Sequence, residues 1–531
     1  MGCQRPHFRG AQEGDGHGFT VVRRTRGRHD EGQANPSRRR GRGTVSRVTS
    51  SSDALPTGTF SLNSTYGRRA IALSIAAAVG GFLFGFDSSV VNGAVESIQS
   101  DFALNDFVTG FIVAIALLGC AVGALTAGNL ADRWGRLRVM FLGAVMFFIS
   151  AIGTGLAFSV WDLGLWRVVG GIGIGIASVV APAYIAEVAP RQIRGGLASL
   201  QQLAITIGIF AALLSDAMLE GIAGGADSVL WLGLDAWRWM FLVAVIPAAV
   251  YGILSFTVPE SPRYLISKGR NDEARAIFAR LVPAVDLDKT MNDLIAAIET
   301  DKKNAGVSIR GKALGLQPIV WIGIILSVFQ QFVGINVIFY YSTSLWNSVG
   351  MTNAPLISVI TSVTNVLVTL IAIFLVDRVG RKPILLTGSV LMTVSLGTMA
   401  LAFTFSETVN GVVTLPGAWG PLALVAANLF VVGFGASWGP LVWVLLGEIF
   451  PSRIRGKALG VAAGAQWIAN FLITMTFPVM SSWSLPVTYG MYATFAALSF
   501  FFVWLRIPET KGMELEQTET LFTRPKAKAS A

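Results

Sequence analysis

Long apolar segments recur along the chain, and they restrict the possible folds more than any other feature of the sequence. Only 14% of the 531 residues are charged and 53% are hydrophobic, whereas soluble domains carry about 25% charged residues. A helix of about 20 apolar residues is long enough to cross the hydrocarbon core of a membrane. The sequence therefore predicts an all-α membrane protein with twelve transmembrane helices, at residues 70–95, 107–130, 139–158, 161–186, 198–219, 237–257, 318–346, 354–376, 384–405, 419–446, 459–481 and 487–506.

Two short phrases occur twice, once in each half of the chain. Asp-Arg-Trp-Gly-Arg at 132–136 returns as Asp-Arg-Val-Gly-Arg at 377–381. A second phrase begins at Glu187 and again at Glu448, and in both copies a proline follows after three residues and an arginine after seven. Every copy stands at the end of an apolar segment. Such duplication is typical of transporters built from repeats and predicts two six-helix bundles.

The distribution of Lys and Arg predicts the orientation in the membrane. The loops after predicted spans 1, 3, 7, 9 and 11 contain neither residue, and the loop after span 5 carries Glu220, Asp227 and Asp235. Both repeated phrases and their arginines lie on the other side. Because Lys and Arg are enriched in cytoplasmic loops, we expect both termini and the central loop to be cytoplasmic and the protein to lie in the cell membrane.

Five regions are expected. Residues 1–65 are a cytoplasmic tail predicted to be disordered, because residues 1–48 hold 11 Arg, four acids and no apolar period. Residues 66–258 and 317–507 are the two bundles. Residues 259–316 form a linker with short amphipathic helices, one of them predicted to start at Asn271. Residues 508–531 are a cytoplasmic C-terminal tail.

Several kinds of chemistry are excluded by the residues that the apolar part lacks. All three histidines, His7, His17 and His29, lie in the N-terminal tail, and the two cysteines are Cys3 and Cys120. A Ser-His-Asp triad, a His metal site and a P-loop for ATP are therefore not available. We expect no cofactor, no metal and no enzymatic activity, and a monomer in contact with lipid rather than nucleic acid.

Amide and aromatic side chains inside the apolar segments indicate the ligand. A monosaccharide offers many hydroxyl groups and no net charge, so its site needs amides and flat apolar walls. The alternative is that amides hold helices together, but several amides with aromatic residues on partner spans favour a sugar site. The candidates are Gln201 and Gln202 in span 5, Gln330, Gln331, Asn336 and Tyr340 in span 7, Asn365 in span 8, Trp438 and Trp443 in span 10, and Gln466 and Trp467 in span 11.

Two charges are predicted to lie well inside the first bundle, Asp87 in span 1 and Arg167 in span 4. A lone charge inside a membrane costs at least about 2.5–3.5 kcal/mol, so we expect these two to face each other. Separation from the arginine would favour protonation of Asp87. The pair is therefore predicted to couple transport to protons, with a static structural salt bridge as the alternative.

Charged residues of the repeated phrases are predicted to form a gate. They end helices of both bundles on one side, so they can form ion pairs across that side when it is closed. Exposed ion pairs contribute only about 0–1 kcal/mol each, which suits a gate that must open. The predicted cytoplasmic gate consists of Asp132, Arg133, Arg136, Glu187, Arg194, Asp377, Arg378, Arg381, Glu448 and Arg455.

Further phrases carry a resemblance to a known family. They are Gly-Phe-Asp at 85–87, Arg167 before a glycine run, Pro-Glu-Ser-Pro-Arg at 259–263, Gln-Gln at 330–331 with Gly334 and Asn336, Gly-Glu-Ile-Phe-Pro at 447–451, and Pro-Glu-Thr-Lys-Gly at 508–512, besides the two Asp-Arg-x-Gly-Arg phrases. With them, the chain resembles the sugar porter family of the major facilitator superfamily over residues 66–517.

This resemblance implies the major facilitator fold, an inner gate at the repeated phrases and a sugar site. The residues that match the family's sugar contacts are Gln202, Gln330, Gln331, Asn336, Asn365, Trp443 and Gln466. Proton-coupled members carry an acid at the position of Asp87. A xylose-selective relative has Gln where this chain has Ile209, and glucose facilitators have an apolar residue there.

The predicted function is proton-coupled monosaccharide import by alternating access. The substrate is a hexose or a pentose, and Ile209 favours glucose with xylose as a weaker ligand. A passive facilitator, which would not use Asp87 in this way, is one alternative. A proton/polyol symporter, for example for inositol, is the other, because amides recognise hydroxyl groups rather than the type of ring.

Overall fold

The computed structural model describes residues 65–189, 194–304, 308–351, 353–409, 412–451 and 454–511. The N-terminal tail predicted for 1–65 lies outside the described residues except for Thr65, and so does the C-terminal tail from residue 512 onward. The described part contains twelve helical segments long and apolar enough to cross a membrane. The prediction of twelve transmembrane helices in an all-α protein is thereby confirmed, with shifts of a few residues at the ends.

The first bundle consists of eight helices that form six spans. Span 1 is α1 (Thr65–Ser89) with α2 (Val91–Asp101), and span 6 is α7 (Ala236–Val243) with α8 (Val245–Thr257). The four spans between them are single helices, α3 (Asp106–Trp134), α4 (Arg136–Gly155), α5 (Val160–Val188) and α6 (Arg194–Ala223). A short antiparallel hairpin, β1 (Val229–Trp231) with β2 (Leu234–Asp235), connects α6 to α7.

The linker contains α9 (Pro262–Ser267), α10 (Asn271–Phe278), α11 (Ala284–Asn304) and β3 (Arg310–Ala313). The predicted helix start at Asn271 is confirmed. Apolar side chains of the three helices form a small core of their own, in which Tyr264 and Leu265 meet Phe278, Leu287 and Met291. The amphipathic pattern of this segment therefore reflects packing within the linker.

The second bundle repeats the plan of the first. Its spans are α12 (Pro318–Phe332) with α13 (Ile335–Tyr340) and α14 (Ser342–Ser348), then α15 (Ala354–Val379), α16 (Arg381–Thr404), α17 (Trp419–Gly435) with α18 (Trp438–Ile449), α19 (Arg455–Trp483) and α20 (Leu485–Arg506). A second hairpin, β4 (Glu407–Val409) with β5 (Val412–Thr414), connects α16 to α17 at the position where β1 and β2 lie in the first half.

Predicted spans 1, 6, 7 and 10 are each divided into shorter helices in the structure, and the break in span 7 affects predicted site residues. The segment at 318–346 is interrupted at Gly334, whose φ of +83° belongs to the left-handed region that favours glycine. A Cβ atom there would lie 2.7 Å from the ring of Tyr492. The break places Asn336 and Tyr340 on a separate short helix. Hydropathy averaged over the segment does not reveal it.

The two ends of the bundles are named here by what they carry. The motif face is the end that holds the repeated phrases, at the C-termini of α3, α5, α15 and α18. The far face is the other end and carries both hairpins. Between the bundles, α3 packs against α19 and α6 against α15. In the half of α3 nearer the far face, a Cβ atom on Gly110 would lie 2.1 Å from the carbonyl oxygen of Met475.

Candidate functional site

Asp87 and Arg167 form a buried ion pair inside the first bundle, as predicted. Arg167 Nη1 lies 3.4 Å from Asp87 Oδ2 and also donates to the main-chain oxygen of Asp87 at 3.3 Å. The residues are 6% and 4% exposed. The Arg167 Nε atom has no hydrogen-bond partner among the described residues. The pair is thus held by one guanidinium nitrogen rather than by a two-point contact, which leaves it separable.

The surroundings of the pair show why small residues follow Arg167 in the sequence. A Cβ atom on Gly170 would lie 2.4 Å from Ser150 Oγ and 3.8 Å from Asp87 Oδ1. Ser150 donates to the main-chain oxygen of Trp166 at 2.7 Å, which fixes α4 against α5. The glycine run therefore allows α1, α4 and α5 to meet at the ion pair.

A small cavity of about 10 Å³ adjoins Arg167. Ser88, Cys120 and Tyr340 line it, so side chains of both bundles reach it. This volume corresponds to about one water molecule. The predicted site residue Tyr340 thus lies beside the predicted coupling residue Arg167, which joins the two proposed functions in one place.

Three amide side chains of span 7 form a hydrogen-bonded row. Asn336 Nδ2 donates to Gln331 Oε1 at 2.6 Å, and Gln331 Nε2 donates to Gln330 Oε1 at 3.4 Å. Gln330 Nε2 donates to the main-chain oxygens of Trp438 and Gly439 at 2.9 and 3.3 Å. Gln330 therefore holds α12 against α18, which agrees with the alternative that amides join helices, whereas Gln331 and Asn336 keep further hydrogen-bonding capacity.

The amides on neighbouring spans differ in their surroundings. Gln202 and Gln466 are half-buried, and the Oε1 atom of Gln466 is buried without a partner among the described residues. Gln201 is buried, and neither polar atom of its side chain has a described partner. Asn365 is buried against α17, where its Oδ1 would lie 3.2 Å from a Cβ atom on Gly435. Unsatisfied amide atoms are those that a ligand hydroxyl can complete.

The aromatic candidates separate into walls and packing residues. Trp467 of the second bundle lies 5.6 Å from Phe84 of the first, measured between ring centroids. Trp443 is 42% exposed. Trp438, in contrast, is fully buried and its indole N–H donates to Ser389 Oγ at 2.9 Å. Trp438 is therefore part of the packing of the second bundle, and it offers no wall in this structure.

At the motif face of the first bundle, Arg136 is the centre of a network. Its Nε and Nη2 atoms donate to the two carboxylate oxygens of Glu187 at 3.1 and 3.0 Å, and Nη1 lies 3.2 Å from Asp132. The backbone N–H of Arg136 donates to Glu260 at 3.0 Å. Gly135, with φ of +94°, makes room for that carboxylate.

The second bundle repeats this network with different residues. Arg381 donates to Glu448 Oε1 from Nε and Nη2 at 3.1 and 2.9 Å. Glu509 accepts from the backbone N–H groups of Arg381 and Lys382, both at 3.0 Å. Thr510 Oγ1 donates to the other oxygen of Glu448 at 2.5 Å.

These contacts change the predicted gate in two respects. Among the described residues, Arg136 pairs with Glu187 inside the first bundle and Arg381 with Glu448 inside the second, so neither pair crosses between bundles. The side chains of Arg136 and Glu187 are only 10% exposed, so this pair is not a weak surface contact. Arg133 and Arg378 are exposed, and Arg455 donates from Nε to the main-chain oxygen of Phe450 at 3.2 Å. The side chains of Arg194 and Asp377 lie outside what the structure describes.

Sequence reasoning missed the roles of Glu260 and Glu509. Each accepts hydrogen bonds from the first backbone N–H groups of a helix, a position where a carboxylate is stabilised. A signal was present, because Pro259-Glu260-Ser261 and Pro508-Glu509-Thr510 are a third repeated phrase.

Twelve spans in two related bundles, with buried polar groups between them, define a multi-pass membrane transporter. The sequence matches the family model Sugar (and other) transporter over residues 73–522. A glucose transport protein of Synechocystis is 53% identical over 84% of this chain and 96% of its own length. The D-xylose-proton symporter of Escherichia coli K12 is 37% identical over 87% and 96%.

Solved structures agree with this assignment. The proton:xylose symporter XylE bound to 6-bromo-6-deoxy-D-glucose is 36% identical and has a TM-score of 0.71, with 85% of this chain and 99% of that chain covered. An inward open conformation of XylE from Escherichia coli has a TM-score of 0.72 at 34% identity, with 85% and 99% covered. The chain belongs to the sugar (and other) transporter family.

Proposed function

We propose that the protein imports a monosaccharide across the cell membrane together with a proton, by alternating access, and that glucose is its preferred substrate. The observation that carries the proposal is the buried pair of Asp87 and Arg167, with Tyr340 lining the same small cavity. The relatives described as a glucose transport protein and as a D-xylose-proton symporter support the same class of substrate and the same coupling.

Sugar recognition is assigned to side chains of both bundles. The first bundle supplies Gln202 and Ile209, and the second supplies the amide row and the exposed Trp443. Hydroxyl groups of a sugar both donate and accept, so they match Gln331, Asn336 and the unsatisfied oxygen of Gln466. The full set of proposed contacts is Gln202, Ile209, Gln330, Gln331, Asn336, Tyr340, Asn365, Trp443, Gln466 and Trp467.

Proton coupling follows from the single-nitrogen contact between Arg167 and Asp87. While the arginine is close, the attraction between opposite charges favours the ionised carboxylate. A shift of α1 against α5 removes this partner, and a buried carboxylate without a partner binds a proton. The proton then travels with the conformational change and leaves when the arginine returns.

The motif face is assigned to the cytoplasm, together with both termini, because its loops carry the Lys and Arg residues. The networks around Arg136 and Arg381 hold the helix ends of each bundle as a unit, so the bundles can rock around the sugar as nearly rigid bodies. We propose that the gate residues exchange partners between bundles when this face closes, and that one chain suffices for transport.

A passive facilitator would keep the same sugar site without using Asp87 for protons. The experiment that separates the two, and that also covers polyols, uses the purified protein in vesicles. Uptake of labelled glucose, xylose, galactose, arabinose and inositol is measured with and without a proton gradient. We expect accumulation of glucose above equality only with the gradient; equilibration of every sugar without accumulation would contradict coupling.

A further inference from the structure

Asp216 is a buried carboxyl group that the proposed transport mechanism does not use. It lies in α6 and is 3% exposed, and its carboxyl oxygens make no hydrogen bond of good geometry with the described residues, although the backbone of Gly93 approaches them. Burial removes the water that would stabilise an ionised carboxylate, and a single backbone contact at Gly93 replaces only part of that stabilisation. Such burial favours the neutral form of the carboxyl group when the helices are packed as in this structure.

The acidic residues near Asp216 lead toward the far face. Glu220 acts on Asp216 from one turn further along α6. Glu96 on α2 and Asp227 in the loop after α6 act in turn on Glu220. Glu96 and Asp227 are exposed. Asp216 thus lies at the inner end of a group of acidic residues that extends to the exposed far face.

The third helix beside Asp216 supplies no free cation. Met240 of α7 and Asp216 of α6 both lie against Gly93 of α2. Arg238 of α7 lies 3.8 Å from Asp101 and donates to the main-chain oxygen of Ala157 at 2.7 Å. The charge of Asp216, when it forms, thus meets like charges toward the far face and no described positive partner.

Asp216 also marks the closest approach of α2 to its neighbours. A Cβ atom on Gly93 would lie 2.8 Å from Asp216 Cβ, 3.1 Å from Asp216 Cγ and 2.8 Å from Met240 Sδ. Because Asp216 is buried, little water reaches its carboxyl group at this contact. An ionised Asp216 needs such water, so ionisation works against this contact between α2 and α6.

The same part of α2 connects the two bundles at the far face. Asn92 Oδ1 accepts from the backbone N–H of Thr343 at 3.0 Å, and Asn347 Nδ2 donates to Glu96 Oε2 at 3.3 Å. Asn92 and Glu96 are one helical turn apart on either side of Gly93, and Thr343 and Asn347 are one turn apart on α14. The position of α2 at Gly93 therefore sets whether both contacts form.

We propose that Asp216 is a proton-binding site that controls closure of the far face. With its proton, it lets α2 lie against α6 and makes both contacts with α14; without it, α2 moves away and the far face opens. The inference rests on the proposed alternating access. The described contact of Asp216 is with α2 at Gly93, beside Met240 of α7, and all three helices belong to one bundle. Asp216 is thus a positioning residue that senses pH, distinct from the coupling pair.

The test follows the far face directly in the purified full chain, without sugar. Spin labels are placed on Ser100→Cys in α2 and Ser482→Cys in α19, both exposed on the far face, with Cys3 replaced by Ser and the buried Cys120 retained. In otherwise wild-type protein, we expect the ratio of short to long label distances to rise as pH falls, by at most about tenfold per pH unit for one linked proton.

Two variants decide the outcome. Asp216→Asn imitates the protonated carboxyl group and should keep the short distance at every pH. Gly93→Ala forces α2 away and should keep the long distance at every pH. Asp235→Asn and Gly221→Ala, whose added Cβ meets nothing within 4 Å, serve as controls and should titrate like the wild type.

An Asp216→Asn protein that titrates like the wild type overturns the inference. If that variant does not fold, Gly93→Ala decides, and a pH response equal to that of the wild type would again overturn the proposal. Neither readout requires sugar uptake. A failure of the uptake experiment described above would therefore leave this test interpretable. Likewise, a failure of this test would leave the uptake experiment interpretable.

Discussion

Arg136 and Glu187 form a two-point ion pair between α4 and α5, with Nε and Nη2 lying 3.1 and 3.0 Å from the two carboxylate oxygens. The corresponding pair in the second bundle, Arg381 and Glu448, uses only one carboxylate oxygen and is more exposed, at 13% and 26% compared with 10% and 10%. The repeated phrase thus forms an Arg–Glu ion pair in both bundles, and the pair in the first bundle is the more buried one.

This difference predicts unequal effects of the same substitution. Glu187→Gln removes the buried ionised partner of Arg136 and leaves only the exposed Asp132 beside it, and breaking a buried pair costs up to about 3–5 kcal/mol. Glu448→Gln should cost less, because water can reach its partner. Thermal unfolding of the purified variants measures both, and an equal or reversed order would contradict the comparison. A control is Glu299→Gln on the exposed side of α11.

Glu509 predicts a dependence of stability on pH. Burial acts to raise the pKa of Glu509, but the backbone N–H groups of Arg381, Lys511, Lys382 and Thr510 outweigh it and hold the pKa below the ordinary value of 4.5. A lowered pKa contributes stability above pH 4.5, and that contribution is lost as the pH falls through the lowered value.

The corresponding measurement compares the wild type with Glu509→Gln across pH. The wild type should unfold at a higher temperature near neutral pH, and the difference should disappear on acidification below pH 4.5. A difference that stays constant down to acid pH would show that the charge of Glu509 is not responsible. Glu299→Gln again serves as the control, since that side chain is exposed.

Gly110 predicts a block of one half of the transport cycle. A Cβ atom there would lie 2.1 Å from the main-chain oxygen of Met475 in the other bundle, so Gly110→Ala should prevent the far face from closing. We expect sugar binding from the outside to remain. Net uptake should fall at least about tenfold, which corresponds to a cost of about 1.4 kcal/mol for closing the far face. Gly128→Ala on the same helix meets nothing within 4 Å and should transport normally. Normal uptake by Gly110→Ala would show that α3 and α19 do not need this contact.

Ile209 predicts the choice between sugars. It is half-buried beside the close contact of α1 and α6, where its backbone nitrogen would lie 2.9 Å from a Cβ atom on Gly85. Its methyl groups can pack against the hydroxymethyl group of a hexose but cannot bond a pentose hydroxyl. Ile209→Gln should shift the ratio of uptake rates from glucose toward xylose by about 1–3 kcal/mol. A wild type that prefers xylose, or an unchanged ratio in the variant, would remove the assignment of glucose.

The sequence allowed prediction of those features that depend on rare residues in an apolar background. Asp87 and Arg167 could be paired in advance because intramembrane charges are few and costly, and the structure places them 3.4 Å apart. The approximate boundaries of the spans could be predicted as well, because polar residues interrupt the apolar segments at their ends. Breaks such as the one at Gly334 depend on local backbone angles and on the ring of Tyr492, which is distant in sequence.

The predicted site was harder to derive, because an amide has the same sequence signature whether it binds a ligand or a helix. Gln330 donates to the backbone of α18, and Trp438 is buried against Ser389, so both side chains contribute to packing in this structure. Gln466 and Trp443 differ from them in the direction that their side of the helix faces. That direction depends on how the helices pack together and cannot be read from the sequence. Asp216 was overlooked because it lies close in sequence to the acidic residues of the predicted loop after span 5, so its burial could not be recognised from the sequence.

The measurement that tests proton-coupled import most directly is sugar accumulation in vesicles that contain the purified protein, with an imposed potential of about 100 mV, inside negative. That potential supplies about 2.3 kcal/mol per charge, or roughly fifty-fold concentration for one proton. We predict that the wild type concentrates glucose above equality and that Asp87→Asn only equilibrates it while still exchanging labelled for unlabelled sugar. A wild type that never exceeds equality, or an Asp87→Asn protein that accumulates glucose as the wild type does, would contradict the account.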